Sequence, residues 1–401
     1  MKQTVIWIGA LIVGAILGLL QLEWLGATMN FIATVYTRLF QLLAVPTIAL
    51  AVTTTLASFG NQKGTRQIFV RTMCYTMLTT FLAAAVGLLL YVAIHPGNIP
   101  THALAEQHVT PTGSEEVVTY YDHILSVIPN NIVQPFLSGN VLSILIIAFA
   151  VGLGLAKLKE SEQKTAVINV LQGLQQLLFQ LIRWLIWTLP LGIVAFAAQL
   201  SSMLSAGVAL DSIGKYVIVI IAGNLVQFFV VLPLFLLLRC RNPIKVFSAM
   251  MPAVMMALFT KSSAATLPVT IESAEQRLGV SSRVARFVIP ICTTINMNGC
   301  AAFILVTSLF VMQNGGMGLS WATMLTWLLI SVVAAIGNAG VPMGCFFLTL
   351  SLMSGIGAPI AVLGIILPIY TIIDMIETAE NVWSDSCVAA AVEKDMKEVS
   401  L

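Results

Sequence analysis

Charged residues are scarce in this sequence. Asp, Glu, Lys and Arg together make up 9% of its 401 residues, and hydrophobic residues make up 58%. Since about a quarter of the residues of a typical globular domain are charged, this composition excludes an ordinary globular protein. Apolar runs of about 20 residues, which are long enough to cross a bilayer, recur from one end to the other and predict a polytopic membrane protein.

Cysteine and histidine are also rare. The six cysteines, at positions 74, 240, 292, 300, 345 and 387, show no Cys-x-x-Cys spacing, so we expect neither a disulfide framework nor a zinc site. The four histidines all lie between positions 95 and 123, in a connector. With no Ser/His pair expected in the membrane, the sequence indicates a protein that is not an enzyme. An intramembrane protease that uses Ser262 with Lys261, or the membrane aspartates, stays open as an alternative.

Basic residues predict which connectors face the cytoplasm, because Lys and Arg collect on that side of a membrane. They are scattered among connectors, so no nucleic-acid partner is expected. With Lys2 inside, single crossings alternate correctly through six helices. The stretch 246–276 has basic connectors at both ends, and 319–353 has neutral connectors at both ends, so each must enter and leave the membrane on one side. Each stretch is broken near its middle, the first by TKSSAATLP and the second by IGNAGVPMG. We predict two re-entrant hairpins, the first entering from the cytoplasm and the second from outside.

A polar-interrupted helix is predicted after each hairpin. A hairpin followed by a broken helix, occurring twice with opposite orientation, is typical of the inverted repeats of secondary transporters. In such proteins the substrate and ion sites lie at the midplane, between non-helical tips. A channel is the alternative, but its filter needs a ring of carbonyls or charges around a pore.

The last apolar segment carries a polar face. Asp374, Glu377, Thr378, Asn381 and Asp385 fall within about a third of the circumference of a helix that turns roughly 100° per residue. A charge at mid-bilayer costs about 2.5 to 3.5 kcal/mol, so three carboxylates on one face must meet cations, water or partners. We expect this face to line the functional site.

For two acids of that segment there is a simpler explanation than a place in the functional site. A helix end that reaches cytoplasmic water suits Asp385, or Glu380, which lies off the polar face. It does not suit Asp374, which follows the apolar stretch LGIILPIYTII. Lys261, at the tip of the first predicted hairpin, is expected to partner Asp374 or Glu377 and to tune the site.

The segment TTINMNG supplies two threonines and two asparagines beside a glycine that loosens the backbone. Hydroxyls, amide oxygens and freed carbonyls are hard oxygen ligands that suit Na⁺. Hydrogen bonding between helices is the alternative. For Thr79 and Thr80 that alternative is about as good as a role in binding.

Four segments, TKSSAATLPVT, TINMNG, GNAGVP and DMIETAENVWSD, resemble in order and spacing the signature segments of the dicarboxylate/amino acid:cation symporter family, the glutamate transporter homologues. The resemblance covers nearly the whole chain. It implies an all-α polytopic membrane protein with eight transmembrane helices and two re-entrant helical hairpins in inverted repeats. It further implies a homotrimer and an elevator motion of a transport domain against a scaffold. We expect an amino acid, sodium and membrane lipid as partners, and a cell inner membrane location with both termini cytoplasmic.

The same resemblance divides the chain into scaffold and transport parts. Scaffold helices 1 and 2 are expected in 1–71 and transport-domain helix 3 in 72–95. Scaffold helices 4 and 5, with transport-domain helix 6, are expected in 96–239. The transport core, with both hairpins and helices 7 and 8, is expected in 240–401.

Carried over residue by residue, the resemblance places the substrate α-carboxylate on Ser263 and Asn381 and the substrate ammonium on Asp374, and gives Thr378 a positioning role. The substrate site implied in full is Ser262, Ser263, Cys300, Gly340, Val341, Pro342, Asp374, Glu377, Thr378 and Asn381.

The resemblance also implies sodium sites. Asn296 with Asp385 matches one site, Thr294 with carbonyls of the second hairpin matches another, and Thr79 with Thr80 matches a third. The sodium ligands implied in full are Thr79, Thr80, Thr294, Asn296, Met297, Asn298, Ala335, Ile336, Gly337, Asn381 and Asp385.

Two residues depart from the family pattern. Glu377 stands where members with acidic substrates have an arginine, and an anion cannot replace a bidentate guanidinium. Dicarboxylates are therefore disfavoured. The motif is similar to that of the sodium/serine-threonine symporter branch, so we expect sodium-coupled uptake of a neutral polar amino acid. Sodium- or proton-coupled transport of a basic amino acid or cystine is the alternative. Asn298 stands where an aspartate ligates sodium, so of one to three coupled ions we expect fewer than three.

Overall fold

The computed structural model describes residues 2–57, 66–99, 128–138, 141–205, 210–338, 340 and 343–399. Within these ranges every regular element is a helix, which confirms the all-α prediction. Seven of the helices in the described part of the chain are long and apolar enough to cross a membrane.

The described residues up to position 205 form six helices. These are α1 (Lys2–Leu19), α2 (Glu23–Ala57), α3 (Arg66–Ile94), α4 (Gln134–Ser138), α5 (Val141–Lys157) and α6 (Glu162–Ser205). Both α1 and α2 pack along α6, and α2 also packs against α5. Gly14 and Gly18 let α1 approach α6 closely, because a Cβ added at either position would collide with the α6 backbone. Small residues at this spacing are typical of packed membrane helices.

A continuous helix follows. It consists of α7 (Leu210–Val226), a π turn (Gln227–Val231) and α8 (Leu232–Leu238). α7 packs against α3. Single π turns inside α-helices frequently occur at functional sites, and this one lies in the interior, since Gln227 is buried.

Hairpin 1, the first predicted hairpin, is present. α9 (Pro243–Thr260) ends at Lys261, whose left-handed backbone (φ 56°) stops the helix. α10 (Ser263–Glu272) begins after Ser262 and ends in a second π turn (Ser273–Leu278). The Ser262 hydroxyl caps α10 by accepting a backbone N–H of its first turn at 3.1 Å. The polar break in the sequence is therefore the hairpin tip.

The helix after hairpin 1 is broken, as the motif TTINMNG predicts. α11 (Ser282–Ile295) stops at Asn296, and α12 (Asn298–Asn314) begins after Met297. Asn296 (φ −92°, ψ 69°) and Met297 (φ −106°, ψ 68°) both lie outside the helical region. Asn296 N still donates to Cys292 O and Met297 O still accepts from Ala301 N, so the helical ladder is interrupted only between these two residues. Such a break deep inside a membrane protein is tolerated where protein or a cavity satisfies the freed groups.

Hairpin 2 is also present where it is predicted. Its arms are α13 (Trp321–Ala335), which passes into a 3₁₀ turn (Ile336–Asn338), and α14 (Gly344–Gly355). Gly340 (φ 66°) and Met343 (φ 63°) have left-handed backbones at the tip. Both hairpins thus reverse through residues that leave right-handed geometry.

The last helix differs from the expectation. α15 (Ala361–Val399) runs without interruption, so the predicted polar interruption after hairpin 2 is wrong. The helix contains no glycine or proline after Pro368, and its polar side chains project from an intact backbone. The Thr378 hydroxyl donates to Asp374 O at 2.7 Å within the helix. Only the first of the two predicted broken helices is broken.

Asp395, near the end of α15, is buried and held by three partners. Arg71 Nη1 lies 2.7 Å from one carboxylate oxygen, and the Tyr75 hydroxyl donates to the same oxygen at 2.5 Å. Arg239 pairs with the other oxygen. Because Arg71 and Tyr75 belong to α3 and Arg239 follows α8, these contacts join three parts of the fold.

We expect Asp395→Asn to lower the free energy of unfolding. The two arginines are 33% and 34% exposed and can turn to water, so we expect a loss of about 1 to 3 kcal/mol. Thermal unfolding of the detergent-purified protein measures it. The control is Asp211→Asn, which removes an exposed ion pair to Lys215 that is worth about 1 kcal/mol at most. An effect of Asp395→Asn no larger than that of the control would contradict the structural role.

Candidate functional site

The tips of the two hairpins meet. The Ser262 hydroxyl donates to Gly340 O at 3.1 Å, and Ala264 N donates to the same oxygen at 3.4 Å. Gly340 also lies against α11, since a Cβ added to it would stand 2.8 Å from Thr293 O. The tips therefore close over the broken helix, and the non-helical parts of three elements converge.

Asp374 connects α15 to hairpin 2. Its Oδ2 accepts from Met343 N at 3.2 Å, and its Oδ1 lies 3.3 Å from the Tyr370 hydroxyl. Lys261 of hairpin 1 is buried, donates to Thr371 O at 2.6 Å, and is attracted electrostatically to Asp374. The sequence predicts Asp374 or Glu377 as the partner of Lys261, and the charge of Lys261 interacts with Asp374.

Glu377 lies on the same face of α15. Its Oε2 is 3.2 Å from the Tyr370 hydroxyl, whose single proton serves both carboxylates. Its Oε1 has no hydrogen-bond partner among the residues that the structure describes, although Glu377 is only 1% exposed. Buried polar atoms normally have partners, so this oxygen is suited to a ligand.

Cys300 of α12 and Cys345 of α14 are joined by a disulfide. The sequence predicts no disulfide framework and gives no sign of this single bond. The two residues are 45 positions apart in sequence, and only the packing of hairpin 2 against the broken helix brings them together. Asn338 Nδ2 lies 2.9 Å and 3.4 Å from the two sulfurs. A Glu377 oxygen lies within 4.8 Å of them, but an intact disulfide offers no thiolate to bind zinc.

Buried polar side chains surround the break between α11 and α12. Asn296 Nδ2 donates to Ser384 Oγ and to Asp385 Oδ1, each at 2.9 Å. Its Oδ1 accepts from the Thr79 hydroxyl of α3 at 3.1 Å. The Thr293 hydroxyl lies 3.5 Å from Asp385 Oδ2. The residues predicted for one sodium site, Asn296 and Asp385, are therefore in direct contact.

Asn298, two residues after Asn296, makes similar contacts. Its Oδ1 accepts from the Thr80 hydroxyl at 3.0 Å, and its Nδ2 donates to Ser384 Oγ at 2.8 Å. Asn381 Oδ1 accepts from Gly299 N at 3.0 Å, at the start of α12. Carboxylate, amide and hydroxyl oxygens gathered in a buried cluster are ligands that suit a hard monovalent cation. The residues present thus fit sodium.

The other predicted sodium residues are less directly joined. Thr294 is half-buried, and its hydroxyl donates to Ile291 O at 2.8 Å within α11. Ala335, Ile336 and Gly337 are buried where α13 passes into its 3₁₀ turn. α11 packs against this 3₁₀ turn, so Thr294 and the predicted carbonyl ligands lie on neighbouring elements.

The remaining predicted substrate residues differ in position. Ser263 is buried and begins α10, so it lies at a helix N-terminus. Thr378 is buried, and its hydroxyl bonds within its own helix. Val341 and Pro342 lie outside the described residues.

Three residues of the site were missed in the sequence. Tyr370 precedes Asp374 by four positions, and this spacing puts both on one face of a helix, so the helical period could have identified it. Asn338 lies in the break motif GNAGVP, which drew attention to its glycines instead. Ser384 receives two amide hydrogen bonds and gave no signal beyond its place beside Asp385.

The alternative that Asp385 or Glu380 reaches cytoplasmic water is wrong. Each residue is only 1% exposed. The physical reason is that α15 is long enough to pass through the whole interior, and hairpin 1, α3, α7 and α11 enclose it.

Comparison with known proteins identifies relatives along the whole chain. The model of the family described as "Sodium:dicarboxylate symporter family" matches residues 4–395. The protein glt-4 of Caenorhabditis elegans is 30% identical over 91% of this chain and 82% of its own length. Excitatory amino acid transporter 2 of Rattus norvegicus is 28% identical over 88% of this chain and 71% of its own. Neutral amino acid transporter B(0) of Oryctolagus cuniculus is 26% identical over 80% of this chain and 65% of its own.

These matches confirm the resemblance predicted from the four motifs. They confirm a multi-pass membrane protein that performs sodium-coupled transport and is not an enzyme. Relatives named for excitatory and for neutral amino acids both occur among them, so the family alone does not select the substrate.

We expect Gly340→Ala to reduce sodium-driven amino acid uptake into proteoliposomes by at least about tenfold. The left-handed backbone at this position disfavours a side chain by about 1 to 2 kcal/mol, and the added Cβ would press on Thr293 O. Gly357→Ala is the matched control. Gly357 has nearly the same backbone angle (φ 68°), but a Cβ there meets nothing within 4 Å. Equal losses in both variants would show that backbone conformation alone, and not closure of the tips, accounts for the defect.

Proposed function

The chain belongs to the sodium:dicarboxylate symporter family, and we propose that it takes up a neutral polar amino acid of the serine or threonine class together with sodium. The observation that carries the proposal is the Glu377 carboxylate, which lies beside Asp374 with one buried oxygen lacking a partner. A substrate hydroxyl can donate to that oxygen. An acidic side chain would instead meet a buried negative charge, which costs several kcal/mol in a desolvated site.

The charged ends of the amino acid have suitable partners nearby. The ammonium binds Asp374, whose carboxylate is the acid nearest the tip of hairpin 2. The α-carboxylate binds Ser263 and Asn381, with support from the positive end of the α10 dipole, since Ser263 is the first residue of that helix. Helix N-termini attract anions because their N–H groups and dipole both favour negative charge.

Substrate binding is coupled to hairpin 2 through Asp374. In the structure this carboxylate accepts from Met343 N, which lies in the tip. A bound ammonium competes for the same carboxylate and rearranges the contact. The tip therefore responds to an amino acid in the pocket, and Gly340 gives the tip its close fit on hairpin 1 and α11.

Sodium binds the polar cluster at the break of the α11–α12 helix. Asn296, Asn298, Asp385 and the α3 threonines supply oxygen ligands, with Asn381 beside them. Sodium contributes a charge that offsets the buried Asp385 carboxylate. The chain's own residues fix the geometry, because amide hydrogen bonds to Ser384 hold both asparagines in place. We propose fewer than three ions at the predicted sites, since Asn298 is neutral.

Movement of the pocket across the membrane follows the elevator scheme of the family. We propose that 1–71 and the scaffold helices of 96–239 stay fixed in a homotrimer, while 72–95, the transport-domain helix of 96–239 and 240–401 carry the pocket. The packing of α1 and α2 along α6 supports a scaffold of this composition. We further propose a cell inner membrane location with both termini in the cytoplasm.

Uptake of radiolabelled L-serine into proteoliposomes with an inward sodium gradient tests the substrate class. We expect sodium-dependent uptake that threonine and alanine inhibit and that aspartate and glutamate leave unchanged. If only lysine, arginine or cystine inhibits uptake, Glu377 binds one of these alternative substrates and not a neutral amino acid. Strong inhibition by aspartate would refute the proposed role of Glu377.

Two substitutions sharpen this test. Glu377→Gln keeps an acceptor for the substrate hydroxyl but loses its charge, so we expect KM for serine to rise about fivefold to tenfold. Glu377→Arg is expected to make aspartate an inhibitor. The control is Glu275→Gln, which removes a carboxylate paired with Arg286 outside the pocket and should leave KM unchanged.

A further inference from the structure

A second group of unpartnered oxygens lies apart from the pocket described above. Glu380, Asn224 and Gln227 are 1%, 2% and 1% exposed. Both carboxylate oxygens of Glu380, Asn224 Oδ1 and Gln227 Oε1 have no hydrogen-bond partner within the described ranges of the chain. Buried polar atoms without partners are rare in folded proteins, so four of them on neighbouring elements require an explanation.

The orientation of both amides is fixed by their nitrogens. Asn224 Nδ2 donates to Ile220 O at 2.8 Å, and Gln227 Nε2 donates to Thr79 O at 3.1 Å. Rotating either amide by half a turn would set its oxygen against a carbonyl oxygen, and both atoms can only accept. The amide groups therefore present oxygens, not N–H groups, on their remaining side.

Helical geometry places Glu380 opposite these amides. A Cβ added to Gly299 would lie 2.9 Å from Glu377 Cα and 3.1 Å from Asn224 Oδ1, so Asn224 stands at the level of Glu377. One turn further on, Trp383 Nε1 donates to Phe228 O at 3.2 Å.

Glu380 lies midway between those two contacts along α15. Successive steps of three residues turn a helix by only about 60°, so positions 377, 380 and 383 share one face. That side of α15 packs on α7 and its π turn, and interpolation between the two contacts puts Glu380 at a level between Asn224 and Phe228, which includes Gln227.

The chemistry of this group favours a cation. Its four free atoms are all acceptors, and an unpaired carboxylate in the membrane interior is costly. Carboxylate and amide oxygens are ligands of hard cations. One carboxylate balances one positive charge, so a monovalent ion leaves no net charge buried, whereas a divalent ion would leave an excess.

We propose that Glu380, Asn224 and Gln227 form a further sodium site between α7 and α15, distinct from the sites implied by the family motifs. Gln227 is bonded to Thr79 O, and the Thr79 hydroxyl to Asn296 Oδ1. The site is therefore linked by two hydrogen bonds to the cluster at the helix break. The proposal of this site rests on sodium-coupled transport by the family and does not depend on which amino acid is carried.

Direct binding of ²²Na⁺ to the purified full-length protein, without amino acid, tests the proposal. We expect Glu380→Gln to lower the sodium bound at saturation by about one ion per chain. Glu275→Gln, the control, should bind as much as the wild type. Unchanged stoichiometry and affinity in Glu380→Gln would overturn the proposal. Because no amino acid is present, this outcome is independent of the role proposed for Glu377.

Thermal unfolding separates an ion site from a structural role. Without sodium, Glu380→Gln should unfold at the same or a higher temperature than the wild type, because it lacks the unpaired charge. Its stabilisation by added sodium should be smaller. Asn224→Leu provides a second variant, and we expect its affinity for sodium to fall at least about tenfold. If both variants keep the full rise in Tm with sodium, or if choline and potassium produce the same rise as sodium, the proposal is wrong.

Discussion

The structure depends on how the buried carboxylates of α15, the helix that crosses the interior, are paired. An ionised carboxylate in a low-dielectric interior is stable only with a countercharge or several donors, and α15 carries acids along most of its length. Four of its buried acids bond to residues of other elements: Asp374, Asp385, Glu393 and Asp395. The six that are buried are Asp374, Glu377, Glu380, Asp385, Glu393 and Asp395.

These acids fall into two groups by the completeness of their partners. Asp395 pairs with two arginines and holds the fold together. Asp385 is bonded only to neutral groups, Asn296 and Thr293, so its charge is left for sodium to offset. Asp374 is satisfied by a backbone N–H of a hairpin tip, a contact that can change. Glu377 and Glu380 retain oxygens without partners in the described part of the chain. This gradient from complete to incomplete satisfaction separates the structural acids from those available to ligands.

Sequence patterns predicted most of the architecture, and the reasons are local. The breaks at Lys261 and Asn296 were predictable because polar residues and glycine interrupt apolar runs there. The continuity of α15 was not, because intact helices and broken ones can carry the same polar residues. The Cys300–Cys345 disulfide was not predictable from the sequence, since the two residues are 45 positions apart and meet only because hairpin 2 folds back. The burial of Glu380 was not predictable, because it depends on how α15 packs against α7 and the π turn, which are far from it in sequence.

The central claim is that the Asp374 carboxylate holds the tip of hairpin 2 and passes the presence of substrate to it. Hydrogen–deuterium exchange of residues 336–350, in sodium and without amino acid, tests this most directly in wild type and Asp374→Asn. The account predicts faster exchange at the tip of hairpin 2 in the variant, with α1, α2 and α6 unchanged, because Met343 N loses a charged acceptor. Identical exchange at the tip in both proteins would contradict it.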